Sequence, residues 1–146
     1  MKEKLKLGTE AEEGKKGVKF YIQRPPTLRI QPGNSDKAVK AHKDALYGHQ
    51  EGELNFWMPF TDVHKTKTEL WVEGEAGKAD FEPLGNVEVG EVGVFHGTSK
   101  AHHVPPNKGD FTRVSIDFRI GVEGFFDPTW SMKGTSDEHT RRVIEM

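Results

Sequence analysis

The 146-residue chain carries a formal net charge of −2 at pH 7 with 30% charged residues. It is therefore long enough for one domain with a buried core, and it offers no electrostatic footprint for nucleic acid or an anionic membrane. No apolar run approaches the ~20 residues of a transmembrane helix, and residues 1–7 lack the apolar core of a signal peptide. Cysteine is absent, which excludes disulfides and thiolate ligands and favours a cytoplasmic protein.

The chain consists of short β-type segments separated by glycine and proline. Residues 1–17 are charged, and we expect a weakly ordered segment there. Residues 18–128 are predicted to form one domain, and residues 129–146 a tail with a short helix in which Ser136 is the N-cap. The predicted strands cover residues 18–24, 27–31, 41–50, 53–61, 69–74, 87–96 and 112–120. This pattern favours an all-β antiparallel barrel or jelly roll, whose interior can hold one small ligand.

Polar and apolar residues alternate through the last predicted strand. Arg113, Ser115, Asp117 and Arg119 would share one face, with valine, isoleucine and phenylalanine on the other. A polar face of this kind is either solvated or lines a barrel interior that binds an anion. The alternation alone leaves both interpretations open, and a matching site elsewhere in the chain favours the second.

The histidines supply that matching site. On a strand, His42 and Asp44 would point the same way, and His102 would complete a set of two histidines and one carboxylate. This is the facial triad of non-haem Fe(II) oxygenases, which leaves coordination positions open for 2-oxoglutarate and O2. The far carboxylate of 2-oxoglutarate needs a fixed cation, which the planar fork of Arg113 provides, and the Ser115 hydroxyl can donate to the same carboxylate.

These motifs, with their context, resemble the phytanoyl-CoA dioxygenase superfamily of Fe(II)/2-oxoglutarate-dependent oxygenases. The resemblance covers residues 20–128 and extends in particular to the branch of small proteins encoded in streptomycin-type biosynthetic clusters. The matching segments are His42-x-Asp44, Tyr47-Gly48-His49-Gln50-x-Gly52-Glu53-Leu54-Asn55-Phe56-Trp57-x-Pro59-x-Thr61, Leu70-Trp71-Val72-Glu73, Phe95-His96-Gly97 and Thr112-Arg113-Val114-Ser115-Ile116-Asp117-Phe118-Arg119.

The resemblance implies a fold, a ligand set and a cosubstrate pocket. The fold would be a double-stranded β-helix, a cupin-like jelly roll. The iron ligands would be His42, Asp44 and His102. The residues assigned to 2-oxoglutarate are Arg113, Ser115, Trp57 and Asn55. The chain lacks most of that family's N-terminal helical region, so we expect a site that is open, is completed by another subunit of a homo-oligomer, or is degenerate.

The implied activity is hydroxylation, or another oxidation, of a C–H bond in a small molecule, with O2 consumed and 2-oxoglutarate converted to succinate and CO2. The carboxylate of Asp44 argues against halogenation, because halogenases of this type have a small residue there. The alternative function is a cupin-like module that binds a metal or small ligand without oxidative chemistry. That alternative explains the fold but gives no role to Arg113 and Ser115.

Several residues also have simpler structural explanations, which the sequence leaves open. His42 and Asp44 would suit a surface pair, and Trp57 a core aromatic. Arg113 would suit an ion pair with Asp117 or Asp44. The alternative candidate ligands are His103, His49 and His96.

Overall fold

The structure is a computed structural model that describes residues 17–85 and 87–129, together with the backbone of residues 140–145. The predicted weakly ordered segment therefore lies almost entirely outside the described residues, as do residues 136–139 of the predicted tail helix. Within the described part of the chain, no helix is long and apolar enough to cross a bilayer.

A six-stranded antiparallel sheet forms one layer, with the strand order β10-β1-β9-β4-β7 and β2 paired to β9. Its strands are β1 (Lys19–Arg24), β2 (Thr27–Gln31), β4 (Glu53–Pro59), β7 (Gly93–Phe95), β9 (Arg113–Val122) and β10 (Thr140–Glu145). The ten-residue β9 is the centre of this layer. Strands β1 and β2 follow one another along the same edge of β9, separated by Pro25 and Pro26, because proline has no N–H to continue a ladder.

A four-stranded antiparallel sheet forms the second layer, in the order β3-β8-β5-β6. Its strands are β3 (Val39–His42), β5 (Trp71–Glu73), β6 (Phe81–Pro83) and β8 (His102–Val104). A 3₁₀ helix at Asp44–Tyr47 and the one-turn helix α1 at Val63–Thr66 lie in the connections. Trp57 of the large sheet packs with Val72 and Val104 of the small sheet, so the apolar core lies between the two layers. Each such side chain contributes about 1.5–3 kcal/mol on burial.

The predicted all-β jelly roll is confirmed, with two corrections. Thr140–Glu145 forms β10 paired to β1 instead of a short C-terminal helix, because β1 offers an edge that the local sequence does not reveal. Asp44 is not on the strand with His42. The strand ends at His42, and Asp44 is the first residue of the 3₁₀ helix.

Strand β9 has its polar face inward. Arg113, Ser115 and Arg119 are buried between the layers. The apolar side chains of β9 lie on the outside of the large sheet, where they continue into side chains of β2, β4 and β7 through the strand register. We call this surface the outer apolar face. Its members are Leu28, Ile30, Leu54, Phe56, Met58, Val94, Val114, Ile116, Phe118 and Ile120.

Candidate metal and cosubstrate site

Three potential metal ligands converge at one end of the space between the sheets. His42 ends β3 and His102 begins β8, and the two residues are directly paired in the ladder. The Nε2 atoms of His42 and His102 lie 3.7 and 3.5 Å from Asp44 Oδ1. The three ligand atoms all lie within 4.8 Å of one another, so His42, Asp44 and His102 can hold one metal ion. The 3₁₀ turn, and not strand alternation, directs the Asp44 carboxylate toward the histidines.

The other ring nitrogen of each histidine is held by the backbone. His42 Nδ1 lies 2.7 Å from the carbonyl oxygen of Lys40, and His102 Nδ1 lies 3.2 Å from that of Lys100. A proton on Nδ1 donates to each carbonyl, which leaves the Nε2 lone pair facing Asp44, as metal ligation requires. Burial lowers the pKa of His42, despite the opposing effect of the Lys40 carbonyl, and so favours the neutral imidazole.

One oxygen of Asp44 is held by hydrogen bonds and the other faces the histidines. Oδ2 accepts from Asn55 Nδ2 at 2.6 Å and from Arg119 Nε at 2.8 Å, and Arg119 Nη2 lies 2.7 Å away. Burial alone would raise the pKa of Asp44, but the adjacent His102 ring, the charge of Arg119 and the Asn55 amide together hold it well below its usual range. The carboxylate is therefore ionised, with Oδ1 directed at the metal position.

Backbone groups near Gly97 position this carboxylate further. The Asp44 N–H donates to the Gly97 carbonyl at 2.8 Å, and the Gly97 N–H donates to Asn55 Oδ1 at 3.1 Å. A Cβ at Gly97 would lie 2.7 Å from the Asn55 side-chain amide. Only glycine at this position therefore lets the Asn55 amide reach both the backbone and Asp44.

A cavity between the sheets, here called the inner cavity, adjoins the metal position. Its polar lining includes His42, His102, Asn55, Arg113 and the indole of Trp57. The Arg113 guanidinium carbon lies 5.6 Å from the Trp57 ring centroid. Burial lowers the pKa of Arg113 to about 10, although the charge of Asp117 opposes this, so the guanidinium remains cationic at neutral pH.

Several buried polar atoms in and near this cavity have no hydrogen-bond partner among the described residues. Within the described residues, Arg113 Nε, Ser115 Oγ, Trp57 Nε1 and Gln31 Oε1 are buried without a hydrogen bond. Arg113 and Trp57 line the inner cavity, and Ser115 lies on the same face of β9 as Arg113. Because buried donors are almost always satisfied in folded proteins, this group of donors is suited to an acceptor bound there. A carboxylate suits the Arg113 fork and the Ser115 hydroxyl on the same strand face. The residues present therefore fit a divalent metal with a carboxylate-bearing cosubstrate.

The sequence also allowed Arg113 to form a structural ion pair and Trp57 to be a core aromatic. Arg113 has no ion-pair partner among the described residues, because Asp44 pairs with Arg119 and Asp117 pairs with Arg29. Trp57 belongs to the core cluster and also lines the inner cavity. Asn55, assigned from the sequence to the cosubstrate, hydrogen-bonds Asp44 while lining the same cavity.

The other histidines considered in the sequence do not join the three potential ligands. His103 points away from the triad and packs against Trp71 and Phe81. His49 Nδ1 lies 2.7 Å from Glu53 Oε2, and His96 Nδ1 lies 2.6 Å from Ser99 Oγ.

The sequence placed Arg119 on the polar face of the strand without a specific partner and gave no role to Arg29, although both line the inner cavity. Arg119 carried a usable signal, because it is in phase with Arg113 on one strand face. Arg29 carried none, since its partner Asp117 lies 88 residues away in the sequence.

Comparison with known proteins gives one curated relative and several structural neighbours. No protein-family model matches the chain. The "Streptomycin biosynthesis protein StrG" of Streptomyces griseus is 37% identical over 108 residues, which cover 74% of this chain and 50% of that protein. The chain therefore spans about half the length of the curated relative that it matches.

The structural neighbours are non-haem enzymes. A "Non-heme monooxygenase, ThoJ-Ni complex" superposes with a TM-score of 0.57 at 20% identity, covering 84% of this chain and 54% of that one. The "non-heme alpha ketoglutarate dependent carbocyclase SnoK" gives 0.54 at 18% identity, covering 70% and 50%. The epimerase SnoN "in complex with Fe3+, alpha ketoglutarate and nogalamycin RO" gives 0.51 at 13% identity, covering 80% and 54%.

The resemblance noted in the sequence is thus confirmed by sequence and by fold. This chain is a homologue of the streptomycin biosynthesis protein StrG and has the double-stranded β-helix fold of non-haem, 2-oxoglutarate-dependent enzymes.

Proposed function

We propose that this protein is an Fe(II)- and 2-oxoglutarate-dependent oxygenase that acts on a small molecule. The observation that carries the proposal is the convergence of His42 Nε2, Asp44 Oδ1 and His102 Nε2 beside a cavity that contains the unpaired Arg113 guanidinium. Neither feature suffices alone. Together they provide a metal position and an anion position within one cavity.

Each side chain has a defined part in this proposal. His42, Asp44 and His102 hold the metal, and Arg119 and Asn55 orient Asp44 by binding its other oxygen. Arg113 and Ser115 bind the far carboxylate of 2-oxoglutarate, with the Trp57 indole as a wall beside the guanidinium. Iron with 2-oxoglutarate and O2 supplies the oxidising power to functionalise an unactivated C–H bond, as succinate and CO2 are released.

We assign hydroxylation or desaturation over halogenation on the basis of Asp44. This carboxylate occupies the third ligand position and is fixed there by two hydrogen-bonding side chains, so no position is vacated for chloride. The primary substrate would enter through a second depression, which borders His42 and Asp44 and is also lined by Tyr47. We call this depression the outer cleft.

A cupin-like binding module without redox chemistry remains the second candidate. The metal triad alone would serve it equally well. A binding module of this kind would give no role to Arg113 and Ser115, which are buried without hydrogen-bond partners for Arg113 Nε and Ser115 Oγ. We therefore favour the oxygenase.

Succinate formation tests the proposal. Slow, substrate-independent conversion of 2-oxoglutarate should be detectable with wild-type protein and Fe(II) in air. It should be lost in Asp44→Ala, because removing a charged ligand weakens iron retention. Asp36→Ala, which removes an exposed carboxylate, is the matched control and should retain the activity. Wild-type protein that binds iron but makes no more succinate than the iron-free sample would favour the binding module.

A further inference from the structure

A second arginine lies beside the proposed cosubstrate position. Arg29 on β2 faces Ser115 on β9 across the ladder, and its side chain binds Asp117, two residues further along β9. Arg29 Nε lies 2.8 Å from Asp117 Oδ1 and Nη2 lies 3.4 Å from Oδ2. Both carboxylate oxygens are therefore engaged by one planar fork. Arg29, Asp117 and Arg113 all line the inner cavity.

Asp117 is close enough to influence Arg113 but does not bind it. Its charge acts to raise the pKa of Arg113, against the larger effect of burial. No other carboxylate among the described residues lines the inner cavity. A buried cation and a carboxylate in one cavity normally pair, because leaving a buried charge unpaired is costly. Here they do not pair, and the carboxylate is the group already bound by another arginine.

We propose that Arg29 is a positioning residue that occupies Asp117 and thereby reserves Arg113 for the cosubstrate carboxylate. This inference rests on the proposed function. The pair acts in two ways. It prevents Asp117 from competing for the Arg113 fork, and it neutralises a negative charge that would repel an incoming carboxylate. Arg29 itself need not touch the cosubstrate.

The first arm of the test measures 2-oxoglutarate binding to anaerobic protein loaded with Mn(II), a redox-inert substitute for iron. Arg29→Ala should weaken 2-oxoglutarate roughly tenfold, since Asp117 is only 19% exposed and like charges brought close together in a partly buried site are unfavourable. Metal affinity should not fall, because the group removed is a cation that lies near His42 and Asp44. Adding Asp117→Asn to Arg29→Ala should restore binding to near the wild-type value, because the competing charge is gone. Lys108→Ala, which breaks the exposed pair with Asp36, controls for loss of a surface cation.

The second arm needs no metal and no cosubstrate. In a ¹H–¹⁵N spectrum of the ligand-free protein, the Arg113 Nε–H is expected to report a buried group without an acceptor. In Arg29→Ala this signal should move to the position of a hydrogen-bonded guanidinium, as Asp117 turns to Arg113. In the double variant the signal should return to its wild-type position.

The outcomes separate this inference from the proposed function. An Arg113 signal that is the same in wild type and Arg29→Ala would overturn the inference, whether or not 2-oxoglutarate binds. Weakened binding that Asp117→Asn does not restore would also overturn it, by showing that Arg29 contacts the cosubstrate directly or is structural. Wild-type protein that binds no 2-oxoglutarate would contradict the proposed function instead, and the spectroscopic arm would still decide whether Arg29 keeps Asp117 from Arg113.

Discussion

Replacing Arg113 with methionine should stabilise the ligand-free protein, although it removes a buried, long side chain. Burial lowers the pKa of Arg113 to about 10, and at 1.36 kcal/mol per pKa unit its displacement from the ordinary arginine value corresponds to about 3 kcal/mol. Because pH 7 lies below both values, the folded protein carries this cost in full. The contact with the Trp57 face returns about 1 kcal/mol, so the net gain in unfolding free energy should be about 2 kcal/mol.

Arg119→Met is the matched control, on the same face of the same strand. Arg119 binds the buried Asp44 carboxylate, so its loss leaves an anion without its cation. Breaking a buried pair in this way typically costs about 3–5 kcal/mol. The same chemical substitution, six residues apart, should therefore change stability in opposite directions.

Urea unfolding at pH 7, with and without saturating 2-oxoglutarate and Mn(II), measures both effects. At 100 times its dissociation constant, the cosubstrate should stabilise wild-type protein by about 2.7 kcal/mol. Arg113→Met should lose most of this increment while retaining stabilisation by the metal. A variant that is 2 kcal/mol or more less stable than wild type would refute the reasoning, since Arg113 would then be a structural partner. Equal stabilisation of both proteins by 2-oxoglutarate would refute its role in binding.

Two further predictions concern Asp44 and its neighbours. Gly97→Ala should lower metal affinity about 10–100-fold without touching a ligand, because its Cβ would displace the Asn55 amide from Asp44. Gly109→Ala is the control, because its Cβ would meet a backbone carbonyl at 2.7 Å and reduce stability without affecting the Asn55 amide. Calorimetric titration with Mn(II) should show unchanged metal affinity in this control. The unfolding free energy of metal-free protein should fall on acidification, measured by urea midpoints. The pKa of His42 is lower in the folded than in the unfolded protein, so below pH 6.5 the unfolded chain takes up the His42 proton more readily and the unfolding free energy falls. The lowered pKa of Asp44 has the same effect below pH 3.8. His42→Asn should reduce the first of these two losses and leave the contribution of His103, whose pKa burial also lowers; an unchanged pH dependence in that variant would contradict the assignment.

The periodicity of β9 was sufficient to predict a strand with one polar face, but not the direction of that face. The polar residues point inward because β2 and β4 pair with β9 on either side and the second sheet covers that face. Such pairings join distant parts of the chain, so a local pattern cannot reveal them. The placement of Arg113 with Ser115 could be predicted because both residues lie on one strand. The pairing of Arg29 with Asp117 could not.

The two incorrect predictions of the fold, a C-terminal helix and a strand containing both His42 and Asp44, also arise from contacts between distant parts of the chain. The residues from Ser136 onward have the local character of a capped helix, but Thr140–Glu145 pairs with β1 as a strand. His42 and Asp44 have the spacing of neighbours on one strand face, but the strand ends between them and the 3₁₀ turn orients the carboxylate. In both cases a contact distant in sequence outweighed the local preference.

The outer apolar face has a practical consequence for handling the protein. Leu28 and Ile30 are 58% and 63% exposed, and Val94 is 49% exposed, on a surface that extends across four adjacent strands. Dyes that fluoresce on apolar surface normally report loss of native packing. Here they would already bind the native fold, so a dye-based melting curve of this chain would begin from a high signal. Intrinsic fluorescence of the three tryptophans, of which Trp57 is buried in the core, would be the more informative probe of unfolding.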